Sequence, residues 1–203
     1  MKDKLKKIEN YLFNKREKGK DENNNFFQLN ESFILKNEEE KKHILEWVSI
    51  NGKLKGINLL YRATRDGDEG SKFYTLCVNK GPTISFIRTK KGRRFGGFTM
   101  VEWENKYKIY KDNNAFLFSL DNMKKYSVVK SKSAIDCDPP KYFLIYGNNF
   151  DGKGMYFASG FFKNACRENQ STKVYDVPSD HCLSGENDFY VDEVEVYNLA
   201  FEK

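Results

Sequence analysis

Histidine is nearly missing from this chain, which has two in 203 residues, His43 and His181. Nucleophilic catalysis by serine or cysteine needs a base within hydrogen-bond reach, so the scarcity leaves few ways to build it. His43 falls beside Trp47 on a charged helical stretch, a surface or packing position. His181 adjoins Cys182, but adjacency in sequence does not aim one side chain at the other. There is no GxSxG elbow, no phosphate-cradling GxxxxGK loop and no HExxH helix. "SVVK", Ser127 to Lys130, has the SxxK spacing but sits in a strand-like run without its companion motifs. These absences argue against an enzyme, and no cofactor is expected.

Cysteine is also sparse: Cys77, Cys137, Cys166 and Cys182 stand apart with no CxxC pair, so reduced thiols are expected rather than a disulfide scaffold. Among them Cys166, beside Arg167, has the most favourable setting for a reactive thiol. Long apolar runs are absent. No window approaches the about 18 residues that span a bilayer, and "MKDKLKKIENYLFNKREKGK" lacks the apolar core of a signal peptide. The expectation is a soluble, cytoplasmic protein with no transmembrane segment. Zinc-finger spacing, an RNP-like aromatic motif and an uninterrupted basic helix are all lacking, which argues against nucleic acid. No metal is expected either. "DGDEGSKFYTLC" superficially fits a calcium loop, but Gly70 falls at the fifth position, Ser71 replaces the turn glycine and Cys77 replaces the bidentate acid.

What is present points to a packed interior: 39% of residues are hydrophobic and 15% aromatic, against 32% charged. At this length the chain suits one domain with a tail. Residues 1–25 read as a basic amphipathic helix, with Leu5, Ile8 and Leu12 on one stripe, followed by the polar linker "GKDENNN". Residues 26–203 read as the single domain. The net charge of +6 is divided unevenly, +11 before residue 131 and −5 after it, a dipole that favours orientation on an acidic partner.

"NEEEKKHILEWV" is well marked as a helix, with Asn37 as cap, Glu40 at the capping-box position, a Glu38–Lys42 pair, and Ile44, Leu45 and Val48 on the buried face. Short apolar runs follow, predicting strands at 57–62, 83–88, 94–101, 115–120, 126–130, 142–146, 154–159 and 189–198. "VDEVEVYNL" alternates Asp192, Val194 and Val196 with Glu193, Glu195 and Tyr197, giving one mainly apolar face and one acidic face. "TISFIRTKKGRRFGGFTMVEW" reads as a hairpin turning at Lys91-Gly92. Its tip bears Arg88, Lys90, Lys91, Arg93 and Arg94, the candidate partner-binding residues, since five clustered cations become favourable when an acidic surface lies opposite. Gly96-Gly97, flanked by aromatics, marks a bulge or a bulky neighbour packed on bare backbone. In "NLLYRATRDGDEG", Asp66-Gly67 reads as a turn and Asp68 as the cap of a short helix burying Phe73, Leu76 and Cys77, with Arg62 and Arg65 paired to local acids or carbonyls.

Taken in order, "LLYRATRDG", "GPTISFIRTKKGRRFGGFT", "NAFLFSL" and "VDEVEVYNL" resemble the TLDc domain of the oxidation-resistance proteins, across roughly Phe33 to Leu199. The resemblance implies an α+β fold: two antiparallel β-sheets packed as a sandwich and flanked by short helices. It assigns Arg65, Asp66, Gly67, Gly81, Pro82, Gly96, Gly97 and Glu195 to the family's structural motifs. It also implies no established enzymatic activity, a link to oxidative-stress protection, and binding to the vacuolar proton-pumping ATPase, the V-ATPase. Where many relatives have "GGGHD", this chain has "FDGKGMYFAS", with Gly152 and Gly154 kept and Met155 in place of an acid. The expected function is therefore a non-catalytic interaction module whose protein partner has an acidic surface, V-ATPase subunits or a cytoskeletal assembly. The alternatives are a structural subunit or adaptor of a cytoskeletal or ciliary complex, and a thiol-based redox protein.

Overall fold

Asn37 opens the first helix by accepting a hydrogen bond from the Glu40 backbone N–H at 2.9 Å, as an N-cap does. The helix, α1 (Glu38–Ser49), buries Ile44 and Val48 and leaves Leu45 half-buried. Its expected ion pair takes a shorter step, from Glu38 to Lys41 at 2.6 Å rather than to Lys42. Glu40 also departs from the capping box: it accepts the Lys36 N–H at 2.8 Å and turns inward to an arginine of the sheet.

The structure, a computed structural model, describes residues 29–139, 142–148, 153–169, 174–179 and 181–202. The basic helix and linker expected over residues 1–25 lie outside them, as does Gly152 of the altered glycine element. After α1 come β1 (Leu54–Arg62), the short helices α2 (Ala63–Asp66) and α3 (Gly70–Cys77), β2 (Thr83–Thr89), β3 (Arg94–Thr99), β4 (Lys108–Tyr110), β5 (Phe116–Ser119) and β6 (Lys124–Ser127). A one-turn 3-10 helix (Ser131–Ser133) leads into β7 (Ile135–Cys137), β8 (Tyr142–Asn148), β9 (Lys153–Ala158), β10 (Cys166–Asn169), β11 (Asp188–Phe189) and β12 (Val191–Phe201).

Two antiparallel sheets of six strands each result, one in the order β1-β12-β2-β3-β5-β6 and the other β11-β10-β9-β8-β7-β4. They pack as a sandwich. Between them lies the main core, with Val191, Val194, Val196, Phe95 and Leu117 from the first sheet meeting Phe143, Tyr146, Met155 and Phe157 from the second. A second core lies on the outer face of the first sheet, where Leu29, Ile34, Ile44 and Val48 cover Ile84, Phe86, Phe98, Phe118 and Tyr197. The first sheet is thus buried on both faces, which explains why its strands read as near-continuous apolar runs.

Three short strands of the second sheet, β4, β7 and β10, are not marked by periodicity, because three or four residues do not establish a period. The strand predicted at 126–130 ends earlier, at Ser127, since beyond Val128, which bridges to Tyr175, Val129 and Lys130 donate to the Val174 carbonyl instead of to β5. The hairpin forms where predicted, with Gly92 at φ 82° and its N–H donating to the Thr89 carbonyl at 2.8 Å.

The glycine pair is explained by close approach rather than by a bulge, because β2 and β3 stay in register through it. A Cβ on Gly97 would lie 2.5 Å from the Tyr146 ring, and one on Gly96 would lie 2.0 Å from the Ser85 carbonyl oxygen. Tyr146 crosses from the second sheet, seats its ring on Gly97 and shares a 2.8 Å hydrogen bond with the Ser85 hydroxyl. The bare backbone is what lets the two sheets meet there.

Candidate functional site

The acidic face of β12 is buried, with Glu193 and Glu195 both fully shielded from solvent. A buried carboxylate is costly unless it is paired or hydrogen-bonded; Glu195 is both, and Glu193 is hydrogen-bonded. Glu193 accepts from the Thr64 hydroxyl at 2.5 Å and from its own neighbour's N–H, that of Val194, at 3.0 Å. Glu195 takes Arg62 at 2.9 Å, the Ser32 hydroxyl at 2.5 Å and the Phe33 N–H at 2.8 Å. Arg62 continues to the Glu31 carbonyl, and its guanidinium stacks 3.9 Å from the centre of the Phe33 ring. These bonds tie the segment before α1 down onto the sheet.

The hairpin cations extend the same tie. Arg94 is buried and bidentate to Glu40, with both contacts at 2.9 Å, and it also reaches Asp121 at 3.1 Å and the Ile34 carbonyl at 3.1 Å. Arg88 bonds Asp192 at 2.9 Å and the Phe33 carbonyl at 2.6 Å. Lys91 pairs with Glu186 at 2.7 Å, while Lys90 donates to the Phe162 carbonyl at 2.9 Å beneath the Tyr190 ring. Of the five, Arg93 alone makes no side-chain hydrogen bond or ion pair with a described residue. The residues expected to form one solvent-facing cluster therefore hold three carboxylate-paired cations, one of them, Arg94, buried inside the fold.

At the corner of β1 and α2, Arg65 bonds Asp66 with two contacts of 2.8 Å, and Asp66 accepts the Arg62 N–H at 2.9 Å. The Arg65 hydrogen bonds hold the Asp66 carboxyl below its ordinary range. Gly67 makes the turn at φ 95°. Asp68 does not cap α3: its carboxylate accepts the Phe162 N–H at 2.8 Å and its carbonyl accepts that of Gly160, fastening the loop after β9. Gly81-Pro82 is a cis peptide, and Gly81 lies close against the Glu102 backbone.

The residues with catalytic potential are dispersed. Nδ1 of His43 lies 2.9 Å from the Glu39 carbonyl, and that of His181 lies 2.8 Å from the Glu168 carbonyl. Cys182 faces Tyr126 at 3.6 Å rather than His181. Cys166, read as the favourable thiol, is fully buried, and burial pushes it up to about 12, so proximity to Arg167 in sequence does not activate it. Arg167 turns instead to Asp188 at 2.6 Å. Among the described residues no group of three or more His, Cys, Asp or Glu is placed to hold a metal ion.

A second basic region escaped the sequence reading. Between Asn122 and Ile135 the chain has Lys124, Lys125, Lys130 and Lys132 and no acid, which was its available signal. Lys124, Lys130 and Lys132 are exposed, and their ammonium groups bond no described residue, while Lys125 lies 5.2 Å over the Phe116 ring.

Comparison with known proteins agrees with this architecture. A family profile described as the TLDc domain matches residues 17–200. The chain belongs to the TLDc domain family. Proteins named MTOR-associated protein MEAK7 are similar to it: that of Mus musculus is 27% identical over 155 residues, covering 70% of this chain and 32% of the relative, and that of Danio rerio is 24% identical over 153 residues with the same coverage. The Gallus gallus protein is 27% identical over 153 residues. The chain thus spans about a third of the length of these relatives. Within the TLDc fold seen here, Arg65, Asp66 and Gly67 build the corner, Gly81 and Pro82 enter β2, Gly96 and Gly97 admit the second layer, and Glu195 anchors the amino-terminal segment.

Proposed function

We propose that this TLDc protein is a non-catalytic interaction module that works in the cytoplasm on a protein assembly with an acidic surface. The observation that carries the reading is the family match across residues 17–200. Further support comes from the commitments of the would-be catalytic groups. Both imidazoles rest against backbone carbonyls, and the Cys77, Cys137 and Cys166 thiols are raised by burial, so a thiolate nucleophile would be hard to form there.

The family resemblance points to V-ATPase subunits and the oxidative-stress response, and the similar proteins are named for association with mTOR. Affinity capture of the tagged full-length protein from its own cells, at low and moderate salt, followed by mass spectrometry, tests the reading. Recovery of proton-pump or mTOR-complex components is the expected result. Cytoskeletal components in their place would make the protein a structural adaptor. If no protein is recovered above the untagged control at either salt, the interaction-module reading falls.

A further inference from the structure

We propose that the β6 edge and the turn after it, carrying Lys124, Lys125, Lys130 and Lys132, form the docking surface for an extended acidic segment of a partner protein. The proposal rests on the interaction-module reading and gives that module a place. Charge is the first consideration. Whereas three hairpin cations are neutralised by carboxylates within the fold, these four lysines occupy a stretch with no acid between Asn122 and Ile135.

Among the described residues the nearby acids are fewer than these lysines. Asp121 is held by Arg94, and Asp112 is buried against the Thr99 hydroxyl at 2.6 Å. Asp121 is nonetheless exposed, and Asp176 is a second exposed acid beside this edge among the described residues, its N–H bonded to the Ser127 carbonyl at 2.8 Å. Lys111, exposed, adds a further positive charge one residue beyond β4, the strand that lies against the 3-10 helix. From Lys124 to Lys130 an extended chain reaches roughly 20 Å, long enough to face six or seven residues of an extended ligand.

The backbone supplies the second consideration, and it favours a peptide over a lipid surface. β6 is the last strand of its sheet. Val128 donates to Ala115, which sets the alternation so that Lys125 and Ser127 turn their N–H and C=O groups away from β5. An extended segment already uses part of this edge: Asp176 donates to Ser127, and Val129 and Lys130 both donate to the Val174 carbonyl, at 2.8 and 3.2 Å. At Lys125 the outward backbone groups meet no described residue. A peptide can add main-chain bonds there while its carboxylates reach the lysines, whereas a bilayer offers no strand to pair. Val129, 57% exposed, is a single apolar contact in the middle of the strip and too little to insert into a membrane.

The test compares three full-length proteins: the natural chain, the variant Lys124→Gln/Lys125→Gln/Lys130→Gln/Lys132→Gln, and the hairpin variant Lys90→Gln/Arg93→Gln. The probes are a fluorescent Asp/Glu-rich peptide, followed by anisotropy, and phosphatidylserine-rich vesicles, followed by sedimentation. The natural chain should bind the peptide, more weakly as salt rises from about 50 to about 300 mM. The four-lysine variant should lose about tenfold or more in affinity, and the hairpin variant less than about twofold. Unchanged unfolding midpoints keep a folding defect from imitating the loss.

Equal losses in both variants, no loss in the four-lysine variant, or no peptide binding by the natural chain would each overturn the proposal. So would vesicle binding that exceeds peptide binding and disappears in the four-lysine variant. If that variant still captures the natural chain's cellular partners, the docking site is wrong while the module reading stands. If the natural chain captures none, the module reading itself fails.

Discussion

Around Gly92 five cations fall within residues 88–94, and around Val129 four lysines fall within residues 124–132. On the chain the two clusters look alike. In the fold the first is largely absorbed: Arg94 is 5% exposed and shared between Glu40 and Asp121, Arg88 meets Asp192, and Lys91 meets Glu186. The second stays on a rim, where Lys124, Lys130 and Lys132 are exposed and bond no described residue. Residue type accounts for part of the difference. A guanidinium offers a planar fork that holds two carboxylates and a carbonyl at once, while an ammonium is a hydrated point charge on a flexible stem. Position accounts for the rest, because β3 is interior to its sheet and β6 is its edge. A dense patch of positive charge in a sequence is therefore evidence for a binding surface only after its internal partners are subtracted.

The sharpest way to break this contrast is to remove one cation from each region. Arg94→Met leaves Glu40 buried without its partner and strips a hydrogen bond from the Ile34 carbonyl, so it should cost about 3–5 kcal/mol in urea unfolding. Lys130→Met, on the rim, should change stability by less than about 0.5 kcal/mol. Adding Glu40→Met to Arg94→Met should restore part of the loss, since the cost lies in the stranded charge rather than in the missing attraction. If the Arg94 and Lys130 variants unfolded together, the distinction between structural and solvated cations would be lost.

Glycines of the same hairpin give the next effect. Gly96→Ala forces a Cβ within 2.0 Å of the Ser85 carbonyl oxygen and 2.4 Å of the Phe118 ring, and should cost about 3 kcal/mol through displaced strands. Gly92→Ala meets nothing within 4 Å and carries only the strain of φ 82°, about 1 kcal/mol. Thermal unfolding of the pair separates crowding from backbone strain, and places the crowded, immovable end of the hairpin at the layer crossing rather than at its charged tip.

Much of this fold was legible because its strongest signals are local. The Asn37 cap, the Gly92 turn, the Gly96-Gly97 pair and the alternation of β12 each express chemistry within a few residues, and each sits where the sequence placed it. Burial of the β12 acids was not legible, because their partners Arg62, Ser32 and Thr64 lie more than 125 positions away and nothing in a strand's period distinguishes an acid facing water from one facing a guanidinium. For the same reason Asp68 looked like a cap: its acceptor role is local in type, but the N–H it takes belongs to Phe162. Cys166 was misjudged from its neighbour, since Arg167 and Cys166 point to opposite faces of β10, one outward to Asp188 and one into the core. The lysine run could have been noticed from its lack of acids. What hid it was the denser hairpin.

Smallest of the expected effects is a dependence on pH at the corner of β1 and α2, which lies between the two extremes. Arg65 is about half exposed, so its pair with Asp66 is screened more than the Arg94 ties and less than the free lysines. Hydrogen bonds from Arg65 hold the Asp66 carboxyl below its ordinary value in the folded protein. A carboxylate depressed in this way adds stability above its unfolded pKa and loses it as pH falls through the folded one. The natural chain should therefore exceed Asp66→Asn by less than about 1 kcal/mol at neutral pH, and the gap should close on acidification through the carboxylate range. It should also narrow with added salt. Urea midpoints at several pH values decide the matter: because an amide oxygen can still accept the Arg62 N–H that Asp66 takes, a gap that persists in acid would mean that the substitution disturbs the packing of the corner, and that the corner is not held by the charge of Asp66.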